Sequence, residues 1–135
     1  LLAELTKTMG NPHGLQMWEI GWVADYPDPQ DWTTLQFCKG CGQNYMSYGQ
    51  NNTADAIPEQ VVQQQLEQAD AETDPTIRLQ LYNQAEQQLI NQVAWLPLYQ
   101  QTYLTLQKPY VQGLVINSVE IIPPDDWATV YIAQH

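Results

Sequence analysis

The sequence predicts a mixed chain of helices and strands, α/β or α+β in class, organised around a single modest core. Three observations carry this. The hydrophobic periodicity runs helix, strand, helices, strands along the chain without an internal repeat. Two consecutive stretches between residues 57 and 89 place apolar residues at helical spacing behind clear start signals. With 135 residues, 44% hydrophobic and 14% charged, the chain has the composition of a folded domain and too little charge for a disordered one.

The elements follow in order. Residues 1–9 carry Leu1, Leu2, Leu5 and Met9 at helical spacing, and Gly10 is placed to stop that helix. The sequence NPHG is a turn. Residues 15–24 hold Leu15, Met17, Ile20, Trp22 and Val23, apolar on both alternating faces, which predicts a strand covered on both sides. DYPDPQD is a rigid loop, since its two prolines fix φ and remove two donors. Asp31 is placed to cap a short helix running through Leu35 and Phe37. Residues 38–58, rich in Gly, Asn, Ser and Tyr, read as a long ordered loop. The next helix has Pro58 in its first turn and a stripe of Val62, Leu66 and Ala69. A second helix starts at Asp74 as N-cap and Pro75 as first residue, with Ile77, Leu81, Ala85 and Leu89 in one stripe beside Tyr82. Arg78, four residues past Asp74, is expected to pair with it. The many glutamines read as solvated faces. Residues 93–107 are rich in β-formers, with Pro97 marking an edge or bulge. KPYVQGLVINS gives a turn and a strand, and WATVYIA a short terminal strand.

Composition excludes several functions. Four Lys and Arg stand against 15 Asp and Glu, a formal charge of −11 that repels nucleic acid and anionic membrane surfaces. No apolar run has the length of a membrane span. The opening LLAELTKTMG reads as mid-protein sequence, so a fragment of a longer protein is expected. No nucleophile elbow or glycine-rich phosphate loop is present, and neither His stands with a Ser or Cys as a nucleophile–base pair. Asp25, Asp28 and Asp31 lack EF-hand spacing and are interrupted by prolines. NNT at 51–53 matches a glycosylation sequon, a pattern that is frequent by chance.

Cys38 and Cys41 form CKGC. A redox pair opens a helix, which Gly40 and Gly42 disfavour; a zinc site would need His13 and His135 as further ligands. A small disulfide staple in an exported protein is the expected state.

One acid stands apart. Asp25 ends the apolar run GWVAD between Trp22 and Tyr26. The plain reading is a strand-end acid that caps a turn. The functional reading is an anionic ligand for a cation: a carboxylate in an aromatic setting attracts an ammonium strongly, and the chain supplies few of its own. Trp22 would then form an apolar wall of that site. A hydrolase pairing Asp25 with Asp28 or Asp31 is disfavoured, because all three leave one loop and cannot face each other across a substrate.

The segments GWVADYPDP, ADAETDPTIRLQLYNQAEQQL, AWLPLYQ and KPYVQGL, followed by VYIA, closely resemble the C-terminal third of the extracellular solute-binding proteins of family 5, the oligopeptide- and dipeptide-binding components of bacterial ABC importers. The resemblance implies a fragment of a periplasmic-binding-protein-like type II fold, two lobes closing on a ligand, with a mixed sheet and flanking helices in each. Residues 1–117 would belong to the second lobe, and 118–135 would hold a crossover and a terminal strand returning toward the first. It implies a non-catalytic protein without cofactor or metal, located outside the cytoplasm, in the periplasm or lipid-anchored at the cell surface. Its partners would be a peptide ligand and a membrane permease. By motif position, Asp25 would receive the peptide's α-ammonium, Trp22 would line the pocket, and the strand Gly21, Trp22, Val23, Ala24 would pair with the peptide backbone. Where some oligopeptide binders place an Arg three residues before the Trp, this chain has Glu19. Other members take oligosaccharides or nickel complexes, which stand as alternative ligands.

Overall fold

The computed structural model of the protein describes residues 1–50, 54, 56–117 and 122–134. The sequon at 51–53, His135 and part of the expected crossover, residues 118–121, lie outside the described residues. The chain divides into two compact units, Leu1–Leu96 and Pro97–His135. Each is a mixture of turns and helices, and the second adds a small sheet.

The first unit opens with α1, Leu2–Thr8. Gly10 follows at φ +66°, the left-handed conformation that ends helices, as its position predicts. Only Leu5 of the apolar positions is fully buried; Leu1 and Leu2 face solvent. Two single-turn helices come next, α2 (Pro29–Trp32) and α3 (Thr34–Phe37). The cap of α2 is Asp28, whose side chain accepts from the Gln30 N–H, so the expectation of Asp31 as the cap is corrected. With proline fixed at the first helical position, the residue before it must be the cap. Asp31 therefore falls inside the first turn.

Residues 38–50 form the expected ordered loop, tied down by buried side chains. Asn44 donates to the carbonyls of Cys38 and Tyr48 and accepts from the Tyr48 N–H. Gln63 donates to the carbonyls of Phe37 and Tyr48 from the neighbouring helix. That glutamine is buried, so the helix face it occupies is not wholly solvated as expected. Unpaired carbonyls under this loop would be costly, and Gln63 is placed to satisfy two of them.

α4 (Ala56–Ala71) and α5 (Pro75–Asn91) carry the core. Val62, Leu66 and Ala69 of α4 are fully buried against Tyr82, Ala85 and Leu89 of α5. Phe37 and Tyr48 join them edge to face with ring centroids 5.4 Å apart, and Trp95 meets Phe37 at 5.3 Å. Asp74 caps α5 by accepting from the Thr76 and Ile77 N–H groups, as expected. Ile77 itself is 47% exposed, too near the helix start to reach the core stripe. Arg78 is also placed differently: it pairs with Asp28 at 2.8 Å, because the caps of α2 and α5 approach each other, whereas Asp74 is occupied with its own helix N–H groups.

The expected strand at 15–24 does not form. Its residues run without regular secondary structure, and Leu15, Met17 and Val23 are exposed, Met17 to 87%. The β-rich stretch 93–107 also lacks a strand, with Leu98, Tyr99, Leu104 and Leu106 largely open to solvent. A strand requires a ladder partner, and β-propensity records packing against neighbours more than a preference of the isolated backbone. Among the described residues neither stretch has such a neighbour.

In the second unit, β1 (Val111–Gln112) pairs antiparallel with β2 (Tyr131–Ile132), placing Val111 opposite Ile132. The Ala133 N–H extends this ladder to the Tyr110 carbonyl at 2.7 Å. A single helical turn, α6 (Pro124–Trp127), precedes β2. Gly113 has φ +81°, and a Cβ there would overlap the Thr129 carbonyl, so the ribbon needs glycine at this point. The two short strands fall inside the segments expected to hold them, though each spans only two residues.

Candidate ligand-binding site

The segment Gly21–Asp25 enters the DYPDPQD loop, and α2 holds it from below. Asp31, on the first turn of α2, has no exposed surface. Its Oδ2 accepts the Trp22 indole Nε1–H at 2.9 Å, and its Oδ1 accepts the Asp25 backbone N–H at 3.2 Å. One carboxylate thus grips a ring and a main-chain amide three residues apart. Asp31 is the third helical residue of α2, the position from which an acidic side chain reaches back over a helix start. That position, read with Pro29 as the first helical residue, is the signal by which sequence could have found it.

The loop is tied to the helix pair by Asp28. Its Oδ1 accepts from the Gln30 N–H at 2.9 Å and from Arg78 Nη2 at 2.8 Å. Arg78 also donates to the carbonyls of Ala69 and Asp70 and to the Tyr82 hydroxyl, so its guanidinium bridges the site loop, the end of α4 and α5. The bond to Asp28 holds the guanidinium pKa above its ordinary value, against the effect of burial. Tyr82 donates its hydroxyl to Asp70 in a short hydrogen bond, and Thr34 donates to the same oxygen.

Asp25 is exposed, not buried among aromatics as its sequence neighbours suggest. The aromatic setting is one-sided: Trp22 and Tyr26 are half-buried, and Trp22 turns its indole N–H inward to Asp31. Among the described residues the Asp25 carboxylate has no hydrogen bond or ion pair, and the backbone of Gly21–Ala24 makes no hydrogen bonds. Ala24 is buried, while Gly21 and Val23 face outward. The Tyr26 hydroxyl donates to Gln30 Oε1 at 3.1 Å. Its pKa is raised, first by burial and then by the charges of Asp31, Asp28, Asp70 and Asp25, which marks this corner as negative in potential.

Chemically, the arrangement offers an open carboxylate, a row of unused backbone donors and acceptors, and an indole wall. It does not offer a pair of opposed catalytic acids. Asp28 is committed to Arg78 and to its helix, and Asp31 is enclosed and satisfied by two N–H donors. The sulfurs of Cys38 and Cys41 are joined in a disulfide, with Cα atoms 5.5 Å apart. Among the described residues no three His, Cys, Asp or Glu side chains gather as a metal site, and no helix is long and apolar enough to cross a membrane.

Comparison with characterised proteins finds the periplasmic murein peptide-binding protein MppA of Escherichia coli (strain K12), to which the chain is 33% identical over 117 residues. The match covers 84% of this chain and 19% of the relative, so the chain spans less than a fifth of that protein's length. The relative is by its name a peptide-binding protein. No family model matches the chain, and no solved structure does.

Proposed function

We propose that this chain is part of a non-catalytic solute-binding protein of family 5, one that captures peptides outside the cytoplasm and delivers them to the membrane permease of an ABC importer. On this reading residues 1–117 belong to the second lobe and 118–135 carry the crossover and terminal strand. The peptide lies along Gly21–Ala24 as an added strand, Trp22 lines its pocket, and Asp25 receives its α-ammonium.

The observation that carries this reading is the Asp25 carboxylate, exposed and without a cation among the described residues, at the end of the Gly21–Ala24 backbone, whose hydrogen-bonding groups have no partner among them. A charge of −11 with four Lys and Arg leaves the cation to be supplied from outside. The similarity to a murein peptide-binding protein supports a peptide as the ligand and makes murein peptides the first to test.

The decisive measurement is calorimetric binding of a peptide panel, murein peptides included, to the protein at its natural length and to its Asp25→Asn variant. Loss of one charge-assisted hydrogen bond, about 1.5–3 kcal/mol, should weaken peptides with free amino termini by roughly 10- to 100-fold. N-acetylated peptides should bind both forms equally. Unchanged affinity for the free-amine peptides would remove Asp25 from the site.

A further inference from the structure

The side chain of Asp25 has no partner of its own among the described residues, yet its direction is not left to chance. Its backbone N–H is held by Asp31 Oδ1, and the same carboxylate holds the Trp22 indole through Oδ2. Asp31 is completely enclosed, which is a costly place for an acid unless it is hydrogen-bonded. No Lys or Arg pairs with it; the two ion pairs of the described residues are Lys7–Glu4 and Arg78–Asp28. The two side-chain hydrogen bonds that Asp31 accepts both come from groups of the candidate site.

We infer that Asp31 is a positioning residue for ligand binding: its buried carboxylate, shared between the Trp22 indole N–H and the Asp25 amide, fixes the ring and the acid relative to each other so that Asp25 meets the ligand's ammonium beside the indole. The inference rests on the reading of Asp25 as the ammonium acceptor. The two oxygens each take one N–H, so a carboxylate suits the task and an amide does not. In the Asp31→Asn variant the side chain would offer one oxygen and one NH2, and the NH2 would face an N–H donor. The result is a freed indole or a freed amide with the side chain's size retained. A negative charge beneath the loop also adds to the potential that Tyr26 senses, which favours a cation above it.

The test compares three forms of the protein at its natural length: unaltered, Asp25→Asn and Asp31→Asn. The probes are a mixed tripeptide library and the same library N-acetylated. The readout is the ratio of the two affinities, which a general loss of stability would leave unchanged. Asp31→Asn is expected to lower the preference for free amino termini, read as that ratio, roughly tenfold. If Asp25→Asn abolishes the preference while Asp31→Asn keeps it, the positioning role is overturned and the ammonium site stands. If Asp25→Asn keeps the preference, the ammonium site falls and the positioning role with it.

A second measurement serves if Asp31→Asn does not fold. In the unaltered protein, the Trp22 indole proton, assigned by its loss in Trp22→Phe, should exchange with solvent at least tenfold more slowly than that of Trp127, which is 57% exposed. Equal exchange of the two would overturn the proposal.

Discussion

At the residue scale, three acids within seven positions have three different fates, and context alone separates them. Asp25 is open to solvent, Asp28 caps α2 and meets Arg78, and Asp31 is sealed beneath the loop. The sequence makes Asp25 distinctive by its aromatic neighbours, but it ranks Asp31 as a cap, because a short helix start can be shifted by three residues without breaking any pattern. Val93 is a second residue that sequence does not flag. It follows α5 at φ +55°, the left-handed position of a Schellman ending, in which Val93 N–H meets the Ile90 carbonyl and Ala94 N–H the Leu89 carbonyl. A β-branched side chain is strained there, and this one is 80% exposed and has little packing to lose. Val93→Gly should therefore stabilise the first unit by a net of about 0.5–1 kcal/mol, after the added flexibility of the unfolded chain is counted. A denaturant midpoint equal to or below that of the unaltered protein would contradict this.

At the element scale, α4 and α5 form the frame against which the site loop is braced. Their stripes were legible: Val62, Leu66, Ala69, Ala85 and Leu89 are buried as the 3.6-residue spacing requires. The polar bracing was not, because Arg78, Asp28, Asp70 and Tyr82 are brought together only when the two helices and α2 meet. Tyr82 gives this network a pH signature. Burial first, then the hydrogen bond to Asp70 and that residue's charge, raise its phenol pKa above the ordinary value, and Arg78 opposes the shift. Burial likewise raises that of Tyr48, aided by the charge of Glu59. A pKa that is higher folded than unfolded stabilises the fold fully below the unfolded value of about 10 and less as pH rises through the folded value. Stability should accordingly hold up to about pH 10 and fall above it. Part of the tyrosinate absorbance should appear only together with loss of the helical circular dichroism signal. Tyr82→Phe with Tyr48→Phe should cut that coupled fraction, leaving the share of Tyr26; a coupled fraction unchanged in the double variant would refute the assignment.

At the scale of the whole molecule, the two stretches richest in strand-forming residues, 15–24 and 93–107, stand without ladder partners among the described residues. Leu98, Leu104 and Leu106 are 62%, 88% and 89% exposed, a state that apolar side chains in strand-forming sequence leave readily when neighbours are supplied. The chain spans 19% of its periplasmic relative, and on the proposed reading, in which it is part of a longer protein, the remainder of that protein would supply those neighbours. Hydrogen exchange tests this directly. Amides of 98–107 should exchange rapidly in the 135-residue chain and at least roughly 100-fold more slowly in the longer protein, the difference between exposed and laddered amides. Equal exchange in both would mean that these residues are not strands in either. The same reasoning predicts that the 135-residue chain alone binds peptides poorly, since part of the cleft would be missing.

Local features were settled by residue order alone: the helix stripes and the α5 start at Asp74 and Pro75, the stop at Gly10, and the positions of the two short strands. Each follows from interactions within a few residues, where spacing and side-chain chemistry suffice. It took the folded arrangement to establish that Asp28 takes Arg78, that Gln63 is buried under the 38–50 loop, and that Asp31 grips Trp22 and Asp25. These pairings join groups brought near by helix packing or by a turn whose course spacing does not specify, and a buried polar group reveals its role only when its partners are in place.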